Sequence, residues 1–236
     1  MKNKKVFTML ASLGLVGVIA TGGTLAYLSS QSNLVNNTFT VGKGFIPGTD
    51  DDLALKIDET DINNPGERTD HNDYIDLYPG DVMVKDPTVY LTSGSVESYV
   101  FVKVTGVDEL EAVQAKFDKQ LISAFDVYGW DTSYWQKVYD KDGNPVTPED
   151  KDGNGYYVAN LGKPVDLSKL EIADGQYIKL GKALFTNVKM DEKLTSLPDV
   201  ENLDGKKLPE INISACAVQY TDGQSVEEAF SAATFK

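Results

Sequence analysis

The chain holds a single cysteine and a single histidine in 236 residues, and the two scarcities exclude a good deal. Cys216 alone cannot close an internal disulfide, so the fold must be held by burial. It also lies far from the N-terminus, which excludes a lipid-bearing cysteine at a leader. His71 alone cannot supply the two histidines, one helical turn apart, that HExxH zinc chemistry needs. No serine stands in a GxSxG elbow. His71 lies among Asp70, Asn72 and Asp73 in a polar stretch and reads as a surface loop residue. Cys216, in the apolar run ISACAVQY, reads as a buried and inert thiol. No catalytic residue is assigned, and the chain is read as a non-enzyme.

Basic residues are also scarce. The chain has 22 lysines and arginines against 36 aspartates and glutamates, a formal charge of −14. Such a field repels nucleic acid and anionic membranes and favours solubility or cation binding. Long apolar runs are limited to the N-terminus, where residues 6–20 carry no charge and follow Lys2, Lys4 and Lys5. Thr24 and Ala26 then supply the small side chains that a signal peptidase needs just before Tyr27. An uncleaved anchor is the competing reading, since no charge appears from residue 6 to residue 28. The Thr21-Gly22-Gly23-Thr24 break favours cleavage between Ala26 and Tyr27. Loss of the three leader lysines takes the formal charge from −14 to −17. LPEIN, residues 208–212, matches a wall-sorting signal poorly, so the expectation is a secreted protein at the cell surface or in the matrix, with no membrane attachment after cleavage. Residues 1–26 are thus a signal peptide, 27–44 an N-terminal strand segment, and 45–236 a single β-sandwich domain.

What the chain has in plenty is strand signal. Between Tyr78 and Val104 the spacing predicts a Pro79-Gly80 turn, two short strands broken at Pro87, and a Ser93-Gly94 turn. A strong strand then sets Val100, Val102 and Val104 on one face and Tyr99, Phe101 and Lys103 on the other. DLALKI, TSYWQKVYDKDGNP, GYYVANL, KALFTNVKM and EINISACAVQY add further strands. Leu110, Val113, Phe117 and Leu121 fall at three- and four-residue spacing, which predicts a helix over 108–125 with Asp108 as its N-cap. Ser225 and Glu228 predict a capping box ahead of a second helix. The expected fold is all-β: a jelly-roll-like antiparallel β-sandwich with a few inserted or peripheral helices.

The acidic turns leave two readings open. Asp150, Asp152, Asn154 and Gly155 match the first half of an EF-hand loop, and Asp140, Asp142 and Asn144 echo it. The twelfth position, where a bidentate glutamate closes such a site, is Leu161 in one case and Lys151 in the other. A partial Ca2+ site on Asp150, Asp152 and Asn154 is one reading; ordinary hairpin-turn chemistry is the other. No other metal or cofactor is implied.

The N-terminal segment raises the sharpest question. Val35, Phe39 and Val41 share a parity, which is strand spacing, yet no hairpin partner adjoins them. Three stretches of the chain, GGTLAYLSSQSNLVNNTFTVG, YPGDVMVKDPTVYLTSGSVESYVFVKV and ISACAVQYTDGQSVEEAFSAA, lie at its start, middle and end. Together they resemble the TasA and camelysin family, secreted biofilm-matrix proteins of Gram-positive bacteria processed by a SipW-type signal peptidase. The resemblance implies a jelly roll whose subunits join into extracellular fibres. It further implies donor-strand exchange, with Val35, Phe39 and Val41 of one copy completing a sheet of the next. The alternative is that this strand pairs within its own chain. A third reading is a monomeric secreted binding module or adhesin, calcium-responsive if the acidic turns bind. Camelysin-like members carry a metallopeptidase label, which is not carried over to a chain with one histidine and no HExxH.

Overall fold

The computed structural model describes residues 29–31, 44–49, 52–74, 77–118, 120–147, 150–194, 200–201 and 208–235. Strand β1 (Ser29–Gln31) is followed by β2 (Leu55–Thr60), β3 (Arg68–Thr69), β4 (Val82–Val84), β5 (Thr88–Thr92) and β6 (Ser98–Thr105). After helix α1 (Val107–Glu111) come β7 (Gln114–Phe117), β8 (Gln120–Ser123), β9 (Phe125–Tyr128), β10 (Gln136–Tyr139) and β11 (Gly155–Val158). Then follow β12 (Tyr177–Lys179), β13 (Asn187–Met190), β14 (Val200–Glu201), β15 (Asn212–Gln219) and helix α2 (Val226–Ala232). The strands form antiparallel sheets: a five-stranded one in the order β1-β15-β6-β11-β10, a four-stranded one β12-β5-β2-β3, and two three-stranded ones, β4-β13-β9 and β14-β7-β8. This is the all-β sandwich that the alternation predicts.

Strand β6 is the centre of the molecule. Val100, Val102 and Val104 are fully buried on its inner face, where they join Leu55 of β2 and Val89 and Leu91 of β5 in the main core. Its outer face is buried too. Tyr99 and Phe101, with Cys216 and Val218 of β15, pack beneath α2 in a second apolar cluster. Phe230 of α2 stacks on Tyr139 at 4.0 Å between centroids and meets Phe101 edge-on at 5.6 Å. Sequence alternation assigns one face of a strand inward; here a helix covers the other face as well. Each fully buried Phe or Val contributes roughly 1.5–3 kcal/mol by leaving water. The α2 N-terminus carries the predicted capping box in both halves: Glu228 N–H donates to Ser225 Oγ at 3.2 Å, and Ser225 N–H donates to Glu228 Oε2 at 2.9 Å. Among the described residues no helix is long and apolar enough to cross a membrane.

The helix expected over 108–125 is not formed. Only Val107–Glu111 is helical, and the chain then turns into the β7–β8 hairpin and β9. Leu121, placed on the helix's apolar face by its spacing, is 51% exposed, whereas Val113 and Ala115, two apart, are buried. The period was two rather than 3.6, and Asp118, at a φ of 44°, provides the left-handed residue that a tight hairpin turn needs. Asp108 is not the N-cap, which falls on Gly106 at a φ of 88°. A β-carbon at Gly106 would stand 1.9 Å from the Glu210 carbonyl oxygen, so only glycine lets the end of β6 pass this close to the approach to β15.

Candidate assembly edge and its adjoining cleft

The edge is built on β15, whose sequence NISACAVQ sends small and apolar side chains to both faces. Ala215 and Ala217 face the main core, while Cys216 and Val218 face α2. One side of β15 is paired with β6 over eight residues, from Asn212–Thr105 to Gln219–Ser98. The other side carries β1, with Ser29 opposite Val218, Ser30 opposite Ala217 and Gln31 opposite Cys216. Ser29–Gln31 is thus one of the two edge strands of its own chain's five-stranded sheet, β10 being the other. These three described pairs contribute at most about 1–3 kcal/mol before the cost of ordering them. Ala26, Tyr27, Val35, Phe39 and Val41 lie outside the described residues.

At its opposite end β15 enters a cleft. Asn212 and Ile213, with Leu208–Ile211 leading into them, form one wall, and Ile57–Glu59 of β2 form another. The loop of residues 69–74 and Leu77 make a third wall, and Met83, Leu110, Phe125 and Val188 make the floor. The cleft encloses about 400 Å³.

Its polar wall is held by two ionic arrangements. Arg68 Nε donates to Asp58 Oδ1 at 2.6 Å and Nη1 to Asp86 Oδ2 at 2.8 Å, while Nη2 donates to the Asp58 carbonyl at 2.8 Å. Thr60 completes the clamp, its N–H 2.6 Å from Asp86 Oδ1 and its hydroxyl 2.9 Å from Oδ2. Burial alone would push the Asp86 carboxyl up. The Thr60 donors and the Arg68 guanidinium more than offset that and hold it below its ordinary value. Beside this clamp Lys85 Nζ meets Glu59 Oε2 at 2.8 Å with both side chains largely buried. Tyr74 donates its hydroxyl to the Val84 carbonyl, and burial first, then Glu59 and Asp86, push its phenol well above the usual range.

The sequence pattern missed this constellation, although one signal was available. Arg68 is the only arginine in a chain with 21 lysines, and a planar fork serving two carboxylates is the work for which lysine cannot substitute. His71, in the same loop, is exposed, with Nε2 3.1 Å from Asp73 Oδ1. Cys216 is fully buried, and burial pushes its thiol up to about 11.

The three calcium candidates are turned to different tasks. Asp150 accepts the Thr147 hydroxyl at 3.1 Å within its own turn. Asn154 points inward: its Oδ1 accepts the Val107 and Asp108 N–H groups at 2.9 and 3.3 Å, and its Nδ2 donates to Glu109 at 2.7 Å. It therefore ties the acidic turn to the start of α1, while Asp152 stays exposed. Asp140 takes the Asp142 and Asn144 N–H groups at 2.9 and 2.8 Å and the Asn144 amide at 3.0 Å, closing a self-contained turn. Among the described residues no three His, Cys, Asp or Glu side chains come together as a metal would need.

Compared with family models, with curated proteins and with solved structures, the chain matches none.

Proposed function

We propose that this chain is a secreted structural subunit of extracellular matrix fibres, joined when the N-terminal strand of one copy adds to the outer edge of β15 in another. The reading involves no catalytic step and no cofactor. Its support is one observation: Ser29–Gln31 pairs antiparallel with Cys216–Val218 as an edge strand of the five-stranded sheet. A segment that fits this edge in its own chain also fits it in an identical second copy. Exchange of the segment then keeps every backbone hydrogen bond while joining two molecules. The resemblance of the leader junction, the Tyr78 to Val104 stretch and the C-terminal stretch to TasA-like proteins points the same way, with a SipW-type peptidase freeing the strand at Tyr27.

The test is electron microscopy with size-exclusion chromatography on two forms, one beginning at Tyr27 and one at Phe45. Filaments from the longer form alone are expected. Folded monomers from both would sink the proposal.

A monomeric binding module is the second reading, favoured by the same ladder, because β1 already completes its own sheet. A Ca2+-dependent rise in melting temperature, lost in the Asp150→Asn/Asp152→Asn double variant, would support a calcium-responsive version. Melting that is indifferent to Ca2+ would remove it.

A further inference from the structure

The approach to β6 carries a run of buried hydroxyls. Thr92 Oγ1 and Ser95 Oγ meet at 2.8 Å, and Ser95 Oγ also accepts the Ile46 N–H at 3.0 Å. Ser93 Oγ donates to the Ala173 carbonyl at 2.6 Å and accepts the Gln176 N–H at 2.9 Å. Ser98 is as fully buried as these three, but its hydroxyl is treated differently. Its backbone is satisfied by Val165, with N–H to carbonyl at 3.0 Å and carbonyl to N–H at 2.8 Å. Among the described residues its Oγ has no hydrogen-bond partner, and neither has the buried Oε1 of Gln219. Gln219 is the residue directly opposite Ser98 in the β6–β15 ladder, so the two atoms belong to one cross-strand pair. Tyr220 N–H donates to the Glu97 carbonyl at 2.8 Å. The adjoining Ser98–Gln219 pair is therefore one that exchanges no backbone bonds, the kind whose side chains stand closest. Alternation puts both side chains on the inner face, with Val100 and Ala217.

We propose that Ser98 and Gln219 hold one buried water molecule between them, which pins the register of β15 against β6. The pair selects the ligand. A hydroxyl can donate or accept, an amide oxygen can only accept, and the neighbouring Val100, Val165 and Ala217 side chains add no polar group. A cation would find no counter-charge there, and an anion would face the amide oxygen. A water takes the Ser98 proton and donates one of its own to Gln219 Oε1, so both buried atoms are satisfied at once. The register follows from the same pair. A slip of β15 by two residues keeps every side chain on its own face, yet it would set Ala217 or Thr221 opposite Ser98 and break the bridge. Apolar alternation alone does not distinguish those registers, and a polar pair at one position does. The site is independent of fibre assembly, because it lies between β6 and β15 and the described pairs of β1 are with Cys216–Val218.

The test is a crystal structure of the protein, with denaturant unfolding of three variants as a second measurement. Density for a water is expected within about 2.7–3.2 Å of both Ser98 Oγ and Gln219 Oε1. A direct hydrogen bond between the two side chains would overturn the proposal, and so would a dry gap between them. Ser98→Ala and Gln219→Met each leave the water with one anchor, and each is expected to lower the folding equilibrium constant about tenfold. The Ser98→Ala/Gln219→Met double variant makes the site apolar on both strands. It is expected to lie nearer the parent protein than either single variant does. Losses that simply add in the double variant would mean that the two side chains share no ligand, and would overturn the proposal as well.

Discussion

The two sides of β15 are held by very different ladders. Towards β6 it is paired over eight residues, and side chains from both strands are buried on both faces. Towards β1 the register of the described residues covers three pairs at the rim of the sheet. The same strand therefore has one side built into the core and, among the described residues, one with a short ladder at the sheet's edge, which under the proposed function is the side that exchanges. In a protein without disulfides, exchangeability is a matter of ladder length and of how much apolar surface goes with the ladder.

The strongest way to break the comparison is to attack its permanent side. Phe101→Ala removes a fully buried ring that touches α2 and should cost about 3–5 kcal/mol in denaturant unfolding. A loss under about 1 kcal/mol would mean that the β6 side is not the stronger one. Arg68→Ala provides a remote control. It leaves the buried Asp58, 6% exposed, with Lys56 at 3.4 Å in place of the Arg68 fork, and should cost about 2–3 kcal/mol, while leaving assembly through the edge unchanged in filament counts.

The same clamp has a pH signature. Because the folded Asp86 carboxyl lies below its ordinary value of 3.8, its contribution is fully present above that pH and is lost as pH falls through the lower folded value. Asp86→Asn should therefore flatten the acid limb of a melting-temperature profile below about pH 4 and leave its sign unchanged. An unaltered acid limb would show that Asp86 is not held by Thr60 and Arg68.

Removing the weaker ladder should do less. The form beginning at Phe45 is expected to unfold within about 2 kcal/mol of the longer one, with slow hydrogen exchange preserved on the β6-facing amides of β15 and lost on the alternate, outward-facing ones. Collapse of the whole β15 protection pattern would instead make β1 part of the core. The smallest expected effect concerns Cys216, whose burial keeps its thiol at about 11. It should resist alkylation at pH 8, roughly, in both forms until the chain is denatured. Rapid labelling of the shorter form alone would mean that β1 shields it.

Much of the fold could be read from the sequence because its strands announce themselves locally. Val100, Val102 and Val104 alternate with Tyr99 and Phe101, and Pro87 and Gly94 punctuate the run. Ser225 and Glu228 mark the start of α2 as a pair. The segment from Leu110 to Leu121 misled because four apolar residues met the helical period by coincidence, while the pairing of Val113 and Ala115 with a turn at Asp118 was the true signal. The edge was less legible still. Ser29, Ser30 and Gln31 carry no apolar alternation, so backbone pairing rather than hydrophobic pattern defines β1. The cleft draws on residues near 57, 70, 83, 125, 188 and 211, and no local period records their approach. Asn154 left two readings open, cation ligand or turn residue, because a ligand and a helix-tying amide have the same sequence signature.

The most direct measurement of strand exchange uses the lone cysteine. Gln31 stands opposite Cys216, so Gln31→Cys places two thiols across one ladder at a separation a disulfide can span. Fibres of this variant, oxidised after assembly and run on a denaturing, non-reducing gel, should give a series of covalent multimers, while dilute monomer oxidised under the same conditions should give a faster-running single chain. Fibres that yield only internally bridged single chains would contradict the account, because β1 would then remain on its own β15 throughout assembly.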